Sequence, residues 1–200
     1  MIEPNMSKTE YNSRIYPLFQ VKDKNLFEKV SQYLRPKPED KILEIGCGRG
    51  FLTKEMQKIA PGTIGIDINI KAIESGVAKN LKVIDATNMG FPADFFDKIY
   101  SCHTIEHIKE ISKFFKEIEK VLKPGGRALL VYPFEIIRGT GAINASLLMF
   151  GDIIHCRKIH LHKFSPKKIQ KIIRGTKLRH IKSHFSLLLT PQYFTLLEKI

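Results

Sequence analysis

The chain has 200 residues, of which 43% are hydrophobic and 26% charged, so it can form one folded domain with a core and is not a disordered tail. No run approaches the ~18 apolar residues of a membrane span. Residues 1–20 lack an apolar stretch behind a basic start, so we expect no secretory signal and a cytoplasmic location. Cys47, Cys102 and Cys156 are odd in number and widely spaced, which argues against a disulfide framework.

The net charge of +13 is concentrated near the end of the chain. Residues 153–200 carry 11 Lys and Arg against Glu198 alone. Such a segment, and residues 157–182 in particular, could attract an anionic substrate, RNA or an anionic membrane surface. The alternative is a solvated basic face without a specific partner.

Helical and strand patterns alternate along the first two thirds of the chain. Apolar residues at helical spacing predict an amphipathic helix over 23–34, which the proline-rich stretch 35–38 ends. Further helices are predicted after Gly50, from Ile70 to near Gly76 and from Ile111 to Leu122, and Pro124-Gly125-Gly126 is predicted as a turn. The predicted strands are 41–45, 63–68, 81–84, 97–102 and 127–132.

This alternation of helix and strand patterns ends in the last third of the chain. Residues 142–150 and 166–174 are predicted helices, and 181–189 and 193–198 are strands too close for a helical crossover. We therefore predict an α/β fold: a Rossmann-like, doubly wound, seven-stranded and mostly parallel sheet with an antiparallel C-terminal edge hairpin. Residues 1–200 are predicted to form a single domain, with an N-terminal helical cap over 1–38 and a lid insertion over 133–165.

A glycine-rich loop, Glu44-Ile45-Gly46-Cys47-Gly48-Arg49-Gly50, follows the first strand. Glycines let a backbone approach a ligand, and the loop lies where strand order is expected to reverse in a parallel sheet. A dinucleotide fingerprint would need glycine at the position of Phe51, and the Gly-Lys-Ser/Thr of a P-loop is absent. The spacing E-x-G-x-G-x-G is therefore of another type.

Three further motifs follow in order: Gly65-Ile66-Asp67-Ile68, Ile84-Asp85-Ala86, and the segment 101–108 with its Glu106-His107 pair. Together with Lys123-Pro124-Gly125-Gly126, they resemble the class I S-adenosylmethionine-dependent methyltransferases. The subgroup that the chain most resembles includes the ubiquinone/menaquinone-biosynthesis methyltransferases. The resemblance covers roughly residues 40–135 by motif.

The resemblance implies S-adenosylmethionine as cofactor and S-adenosylhomocysteine as product. It assigns the ribose hydroxyls to Asp67, the adenine ring to Ile68, and the adenine amine and ring edge to Asp85 and Ala86; the alternative for Asp67 is a helix cap. His103 is assigned to the sulfonium or the substrate. The full set of cofactor-binding residues expected on this basis is Glu44, Gly46, Cys47, Gly48, Gly50, Phe51, Asp67, Ile68, Asp85, Ala86, Cys102 and His103.

Methyl transfer from a sulfonium is an in-line displacement, so orientation can suffice and a general base is needed only for a poorly ionised acceptor. His103 and His107 are the predicted catalytic residues, with His160 and His162 as further candidate bases. For His103 a structural role is an equal alternative, and for His107 capping or a loop contact is favoured. The spacing of His155-Cys156 and His160-x-His162 matches no standard zinc pattern, so no metal is predicted.

The acceptor is the least determined feature. The Asn/Asp-Pro-Pro-aromatic run of base-amine methyltransferases is absent after the fourth strand, and Cys102 lacks the proline that precedes a nucleophilic cysteine. An apolar lid beside a basic tail suits a small-molecule or lipid-like acceptor. The alternatives are an RNA methyltransferase that uses the basic C-terminal quarter and a non-catalytic cofactor-binding descendant. The apolar residues expected to line the lid are Leu147, Leu148, Met149, Phe150, Ile153 and Ile154.

Overall fold

The computed structural model of the protein describes residues 23–137, 139–151, 153–187 and 191–200. Most of the predicted cap over 1–38 lies outside these residues. Within them, no helix is long and apolar enough to span a bilayer.

A seven-stranded sheet with the order β3-β2-β1-β4-β5-β7-β6 forms the centre of the fold. The first five strands pair in parallel, β7 runs antiparallel to β5, and β6 runs antiparallel to β7 at the edge. The predicted fold class is confirmed, including the C-terminal hairpin. The strands are β1 (Ile42–Ile45), β2 (Ile64–Asp67), β3 (Leu81–Val83), β4 (Phe96–Cys102), β5 (Leu122–Pro133), β6 (Leu178–Ser186) and β7 (Gln192–Lys199).

The described residues form seven α-helices, and some of these helices begin at a residue whose side chain caps the helix. The side chain of Asp23 accepts a hydrogen bond from the Leu26 N–H, and that of Ser165 accepts one from the Lys168 N–H. The helices are α1 (Lys24–Leu34), α2 (Phe51–Met56), α3 (Ile70–Glu74), α4 (Ile111–Val121), α5 (Ile143–Phe150), α6 (Cys156–Ile159) and α7 (Pro166–Ile172). Short 3₁₀ helices span Ile105–His107 and Thr140–Ala142.

The core has two parts, one on each face of the sheet. On one face, α4 buries Phe114, Phe115 and Ile118 against the strands. On the other face, Val30 and Leu34 of α1 pack in a second buried cluster with residues of β1, β5 and β7. Helices cover both faces of the sheet, so the ends of the strands remain open. In this architecture ligands bind at the carboxyl ends of the strands where strand order reverses, which here are the ends of β1 and β4.

The Pro124-Gly125-Gly126 turn differs from its prediction. These residues lie inside β5, where the pairing with β4 jumps from Phe96 opposite Leu122 to Lys98 opposite Arg127. The extra residues form a bulge, and Gly125 has a φ of +75°, which favours glycine. The motif therefore shapes a strand and does not separate it from the preceding helix.

Candidate functional site

The glycine-rich loop is held against the neighbouring strand β2 by its own backbone. The N–H groups of Gly46 and Cys47 both donate to the carbonyl of Ile66, at 2.8 and 2.9 Å. Gly46, Gly48 and Gly50 have φ values of +76°, +53° and +79°, in the left-handed region that disfavours a side chain. The loop needs glycine at all three motif positions for its backbone conformation alone.

Two of these glycines are also required by close packing within the chain. A Cβ on Gly46 would lie 2.0 Å from Oγ1 of Thr104, and one on Gly50 would lie 2.9 Å from the Leu81 methyl groups. The loop after β4 thus rests directly on the loop after β1. The sequence interpretation assigned these glycines to ligand approach, whereas at Gly46 and Gly50 the approaching atoms belong to the protein.

Asp67 ends β2 and faces the glycine loop. Its Oδ2 accepts a hydrogen bond from the Gly48 N–H at 2.7 Å, and its Oδ1 accepts one from the Asn69 N–H at 2.8 Å. Burial raises the pKa of this carboxyl, although the backbone N–H groups oppose the rise. Asn69, and not Asp67, caps α3 by accepting from the Ala72 N–H at 3.0 Å. The alternative role of Asp67 as a helix cap is therefore wrong.

Glu44 lies buried beneath the loop and fixes the helix that follows it. One oxygen, Oε2, accepts hydrogen bonds from the hydroxyls of Thr53 on α2 and Tyr100 on β4. Burial raises the pKa of Glu44 to about 7. Cys47 is likewise buried, and burial raises the pKa of its thiol, so this cysteine is unreactive.

The residues assigned to the adenine lie further out along the same edge. Ile68 is 39% exposed, more than is usual for a large apolar side chain inside a domain. Asp85 is exposed, and its Oδ1 accepts from the N–H and the hydroxyl of Thr87. Ala86 is half-buried at the margin of the core. Phe51 is half-buried at the start of α2.

His103 directly follows β4 and has an unusual backbone conformation. Its φ is +51°, a region that non-glycine residues occupy at a cost and often at functional sites. Its Nε2 lies 2.8 Å from Oε1 of Gln192, and its Nδ1 lies 3.7 Å from Oε1 of Glu106. Burial opposes the charged imidazole, yet the hydrogen bond and charge of Glu106 raise the pKa of His103. The side chain remains 38% exposed.

Cys102 precedes His103 and is not suited to nucleophilic chemistry. Burial raises the pKa of its thiol well above the usual value, and the negative charges of Glu44 and Glu106 add to the rise. A thiol attacks as its thiolate, so this environment makes Cys102 inert. This environment agrees with the absence of the preceding proline, which already argued against a nucleophilic role for Cys102.

A cluster of ionisable side chains lies behind His103. Nδ1 of His107 lies 2.8 Å from the Ile159 carbonyl, and Nδ1 of His160 lies 2.6 Å from Oε1 of Glu135. Burial alone would raise the pKa of Glu106, but the neighbouring histidines hold it below its usual value. Burial lowers the pKa of His107. His107 therefore contacts the 133–165 segment, as its structural alternative predicted.

Three residues of this edge were given no role by the sequence analysis. Thr104 packs on Gly46 and donates to the carbonyls of Cys102 and Ile45, at 3.1 and 3.3 Å. Gln192 reaches His103 from the start of β7, and Glu135 reaches His160 from just after β5. Neither partner pair is close in sequence, so no local spacing could have indicated them.

The predicted lid segment exposes many large apolar side chains. Phe134 packs against Phe185 and Tyr193, with ring centroids 5.3 and 5.9 Å apart. The side chains of Leu148, Met149 and Phe150 lie outside the described part of the chain. The large apolar residues of the described part of this segment that are exposed are Phe134, Ile136, Ile137, Leu147, Ile153 and Ile154.

A cavity of about 410 Å³ lies elsewhere, at the amino ends of β4 and β5. Arg35 and Lys123 are among its lining residues, and none of the predicted site residues line it. Several of its basic residues are already paired, such as Lys123 with Asp97 at 2.6 Å. The cavity is thus remote from the glycine loop.

Residues 43–130 match the family model described as a methyltransferase domain. The chain is 36% identical over 106 residues to phosphoethanolamine N-methyltransferase 1 of Zea mays, a match that covers 48% of this chain and 21% of that protein. It is 31% identical over 116 residues to a ubiquinone biosynthesis O-methyltransferase of Chelativorans sp. (strain BNC1), which covers 54% of this chain and 45% of that protein. The chain thus spans less than half the length of these relatives.

Among solved structures, the fold is similar to a SAM dependent methyltransferase from Aquifex aeolicus. The TM-score is 0.68 at 17% sequence identity, and the match covers 94% of this chain and 98% of that one. At this identity the likeness shows the fold alone. With the domain match, it confirms the resemblance that the sequence motifs indicated.

Proposed function

We propose that this chain, whose residues 43–130 form a methyltransferase domain, transfers a methyl group from S-adenosylmethionine to a small-molecule acceptor of lipid-like character. The single observation that carries the proposal is the carboxylate of Asp67 at the carboxyl edge of the sheet, facing the Gly48 N–H of the glycine loop at 2.7 Å. S-adenosylhomocysteine is the expected product.

The residues present fit such a cofactor. The Asp67 carboxylate accepts the N–H groups of Gly48 and Asn69, and the Ile68 N–H also acts on it. A carboxylate has about four acceptor sites, so one remains for a ribose hydroxyl. Ile68 offers an exposed apolar surface for the adenine. When bound, the cofactor supplies a methyl group activated by its sulfonium. The proposed binding residues are those expected from the sequence: Glu44, Gly46, Cys47, Gly48, Gly50, Phe51, Asp67, Ile68, Asp85, Ala86, Cys102 and His103.

The buried members of this set act through the backbone. Glu44 holds α2 in place through Thr53, and so sets the path of the loop. Gly46 and Gly50 allow the loop to pack on its neighbours. These residues are positioning residues, and the direct contacts fall to Gly48, Asp67, Ile68 and His103.

His103 is the proposed catalytic residue. It lies beyond β4 at the point of strand reversal, its imidazole is partly exposed, and Glu106 raises its pKa. Such a histidine can orient an acceptor or take a proton from a hydroxyl acceptor. His107 is a positioning residue in this proposal, because its Nδ1 is engaged by the Ile159 carbonyl.

The lipid-like character of the acceptor rests on the apolar surface of the 133–165 segment. Ile136, Ile137 and Ile153 are more than half exposed, and Phe134, also exposed, packs edge-on against Phe185. Exposed apolar clusters of this kind mark binding sites for apolar ligands or surfaces. Residues 157–182, which follow and overlap this segment in the sequence, are rich in Lys and Arg. Their positive charge suits an acceptor with an anionic group or one held at an anionic membrane.

Cofactor binding is tested by isothermal titration with S-adenosylhomocysteine. Asp67→Ala is expected to weaken binding by about 100-fold, because each lost hydrogen bond to a charged group contributes roughly 1.5–3 kcal/mol. Glu39→Ala removes an exposed carboxylate at the far edge of the sheet and serves as the matched control. Circular dichroism verifies that each variant is folded. Equal affinity of the wild type and Asp67→Ala would overturn the proposal.

The acceptor class is tested with S-adenosylmethionine carrying a labelled methyl group. Incubation with a cellular lipid extract and, separately, with total RNA distinguishes the two acceptor classes. The proposal predicts label in the organic phase of the first sample. Label in RNA, with binding that weakens steeply as salt is added, would instead support the basic segment 157–182 as an RNA-binding surface. Cofactor binding without label in any acceptor fraction would favour a non-catalytic descendant.

A further inference from the structure

A buried cluster of two histidines and a glutamate joins the end of β4 to the 133–165 segment. Glu106 and His107 lie on the 3₁₀ helix that follows β4, and His160 follows α6. One potential ligand atom from each residue lies within 4.8 Å of the others. Glu106 and His160 are almost fully buried, and His107 is half-buried.

The hydrogen bonds of His107 fix which of its nitrogens carries the proton. Its Nδ1 lies 2.8 Å from the carbonyl of Ile159, and a carbonyl oxygen can only accept. Nδ1 therefore donates, and Nε2 of the neutral ring bears a lone pair. That nitrogen lies 3.9 Å from Oε1 of Glu106.

His160 shows the same arrangement with a stronger acceptor. Its Nδ1 lies 2.6 Å from Oε1 of Glu135, which is also buried. A carboxylate accepts, so Nδ1 donates and Nε2 again bears the lone pair. Histidines that bind metals characteristically donate their other ring N–H to a carboxylate or a backbone carbonyl, which orients the ring. Both histidines of the cluster have such a partner.

Glu106 provides the second, independent observation. Its Oε2 is buried and has no hydrogen-bond partner among the residues that the structure describes. A buried carboxylate oxygen without a partner is costly, and such atoms are rare in native proteins. An ion between Glu106 and the two histidines would satisfy it.

We infer that Glu106, His107 and His160 bind a divalent transition-metal ion, and that this ion fastens the 133–165 segment to the wall of the candidate site. Two imidazoles and one carboxylate form a donor set found in zinc sites that keep an open fourth position. A tetrahedral zinc with bonds of about 2.0–2.1 Å holds its ligands roughly 3.3 Å apart, so the side chains must move together by roughly 1–1.5 Å.

The ion would connect parts of the chain that are far apart in sequence. Glu106 also accepts from the His162 N–H at 3.1 Å through its backbone carbonyl, so the two segments already meet at this point. Metal coordination would make that contact rigid and hold Glu106 next to His103, whose Nδ1 lies 3.7 Å from the carboxylate. The three proposed ligands are not among the proposed cofactor-binding residues, and the ion would be bound whether or not the chain transfers methyl groups.

The inference revises the absence of a metal that we expected from the sequence. That expectation considered only the local pattern of His155-Cys156 with His160-x-His162. In the structure, Nε2 of His162 faces the Lys109 carbonyl at 3.4 Å, and His160 joins residues more than fifty positions earlier. No local spacing can reveal a ligand set divided in this way.

The test uses the full chain, stripped with a chelator and then dialysed against Zn²⁺. Elemental analysis is expected to find about one zinc per chain in the wild type and a large loss in Glu106→Gln and His160→Ala. His184→Ala removes an exposed histidine of β6 and is expected to keep the full zinc content. Zinc should also raise the Tm of the wild type and of His184→Ala, but not that of Glu106→Gln.

Cobalt substitution gives a readout that does not depend on stability. Co²⁺ in a tetrahedral site with nitrogen ligands should give visible absorption bands in the wild type, which are lost in His160→Ala. If Glu106→Gln unfolds, the cobalt spectrum of the wild type still decides the question. Absence of stoichiometric zinc, of a zinc-dependent Tm shift and of a cobalt spectrum would overturn the inference, and would leave the cluster as a hydrogen-bonded, protonated network. Titration with S-adenosylhomocysteine on the same samples reports separately on the proposed function.

Discussion

Substitution of Gly46 by alanine tests how closely the two loops of the candidate site approach. The new Cβ would lie 2.0 Å from Oγ1 and 2.5 Å from Cγ2 of Thr104, distances that real Cβ atoms do not adopt. Gly46 also has a φ of +76°, so any side chain is strained. The variant thus combines a backbone cost with a steric cost.

The two costs can be given magnitudes. A left-handed backbone costs a non-glycine residue roughly 1–2 kcal/mol. Overpacking against Thr104 costs roughly 1–3 kcal/mol, and displacing that side chain also disturbs its hydrogen bonds to the Cys102 and Ile45 carbonyls. We expect Gly46→Ala to lower the free energy of unfolding by about 2–5 kcal/mol.

Gly90 is the matched control, because it has the same backbone conformation without the contact. Its φ is +69°, and nothing lies within 4 Å of the position of a Cβ. Gly90→Ala should therefore show the backbone cost alone, about 1–2 kcal/mol. Urea unfolding at equilibrium measures both variants, provided that the slope with urea is unchanged.

A double variant isolates the steric part. Gly46→Ala should cost about 1–2 kcal/mol less when Thr104 is also replaced by alanine, because the two nearest atoms are then removed. The reasoning would be refuted if Gly46→Ala cost no more than Gly90→Ala, since the loops would then not touch as described.

Three further predictions concern individual residues of the site. Burial raises the pKa of Glu44 from 4.5 in the unfolded chain to about 7 in the folded protein. The folded protein therefore binds this proton more tightly, and the resulting stabilisation is fully present below pH 4.5 and is lost as the pH rises through about 7. Glu44→Gln should therefore gain up to about 3 kcal/mol relative to the wild type between pH 5 and pH 8 in urea unfolding, and a difference that does not vary with pH would contradict this. Asn69→Ala should cost about 1 kcal/mol in the same assay, because the Oδ1 cap on the Ala72 N–H is lost; Asn88→Ala is a control outside any helix cap. His103→Gln should lower the turnover of the labelled acceptor by about 100-fold or more while the Kd for S-adenosylhomocysteine stays within a few-fold, and an unchanged turnover would remove His103 from the proposed chemistry.

The sequence predicts the helices, the strands and their order in the sheet well, because these depend on local patterns of residues. The alternation of apolar strands and helices, the glycine loop and the close spacing of the last two strands each determine their own element. Asp67 could be placed beside the loop because the carboxyl ends of adjacent parallel strands meet at one edge. In each case the informative residues lie within one element or in neighbouring elements of the chain.

The features that could not be predicted depend on contacts between distant segments. Thr104, which is 58 positions later in the chain, leaves no space for a side chain at Gly46. His160 contacts Glu106 and His107 only because the segment after β5 folds back to the end of β4. Pro124-Gly125-Gly126 has the composition of a turn, and only its register against β4 shows that it is a bulge.

The central claim is that the glycine loop and Asp67 together hold S-adenosylmethionine. Amide chemical shifts of the ¹⁵N-labelled protein, followed during titration with S-adenosylhomocysteine, test it most directly. The N–H groups of Gly48 and Asn69 both donate to the Asp67 carboxylate, so their signals should shift in a saturable way. The signals of Gly125 and Gly126, beside the cavity at the opposite edge, should not move. Saturable shifts at Gly125 and Gly126 with none at Gly48 and Asn69 would contradict the account.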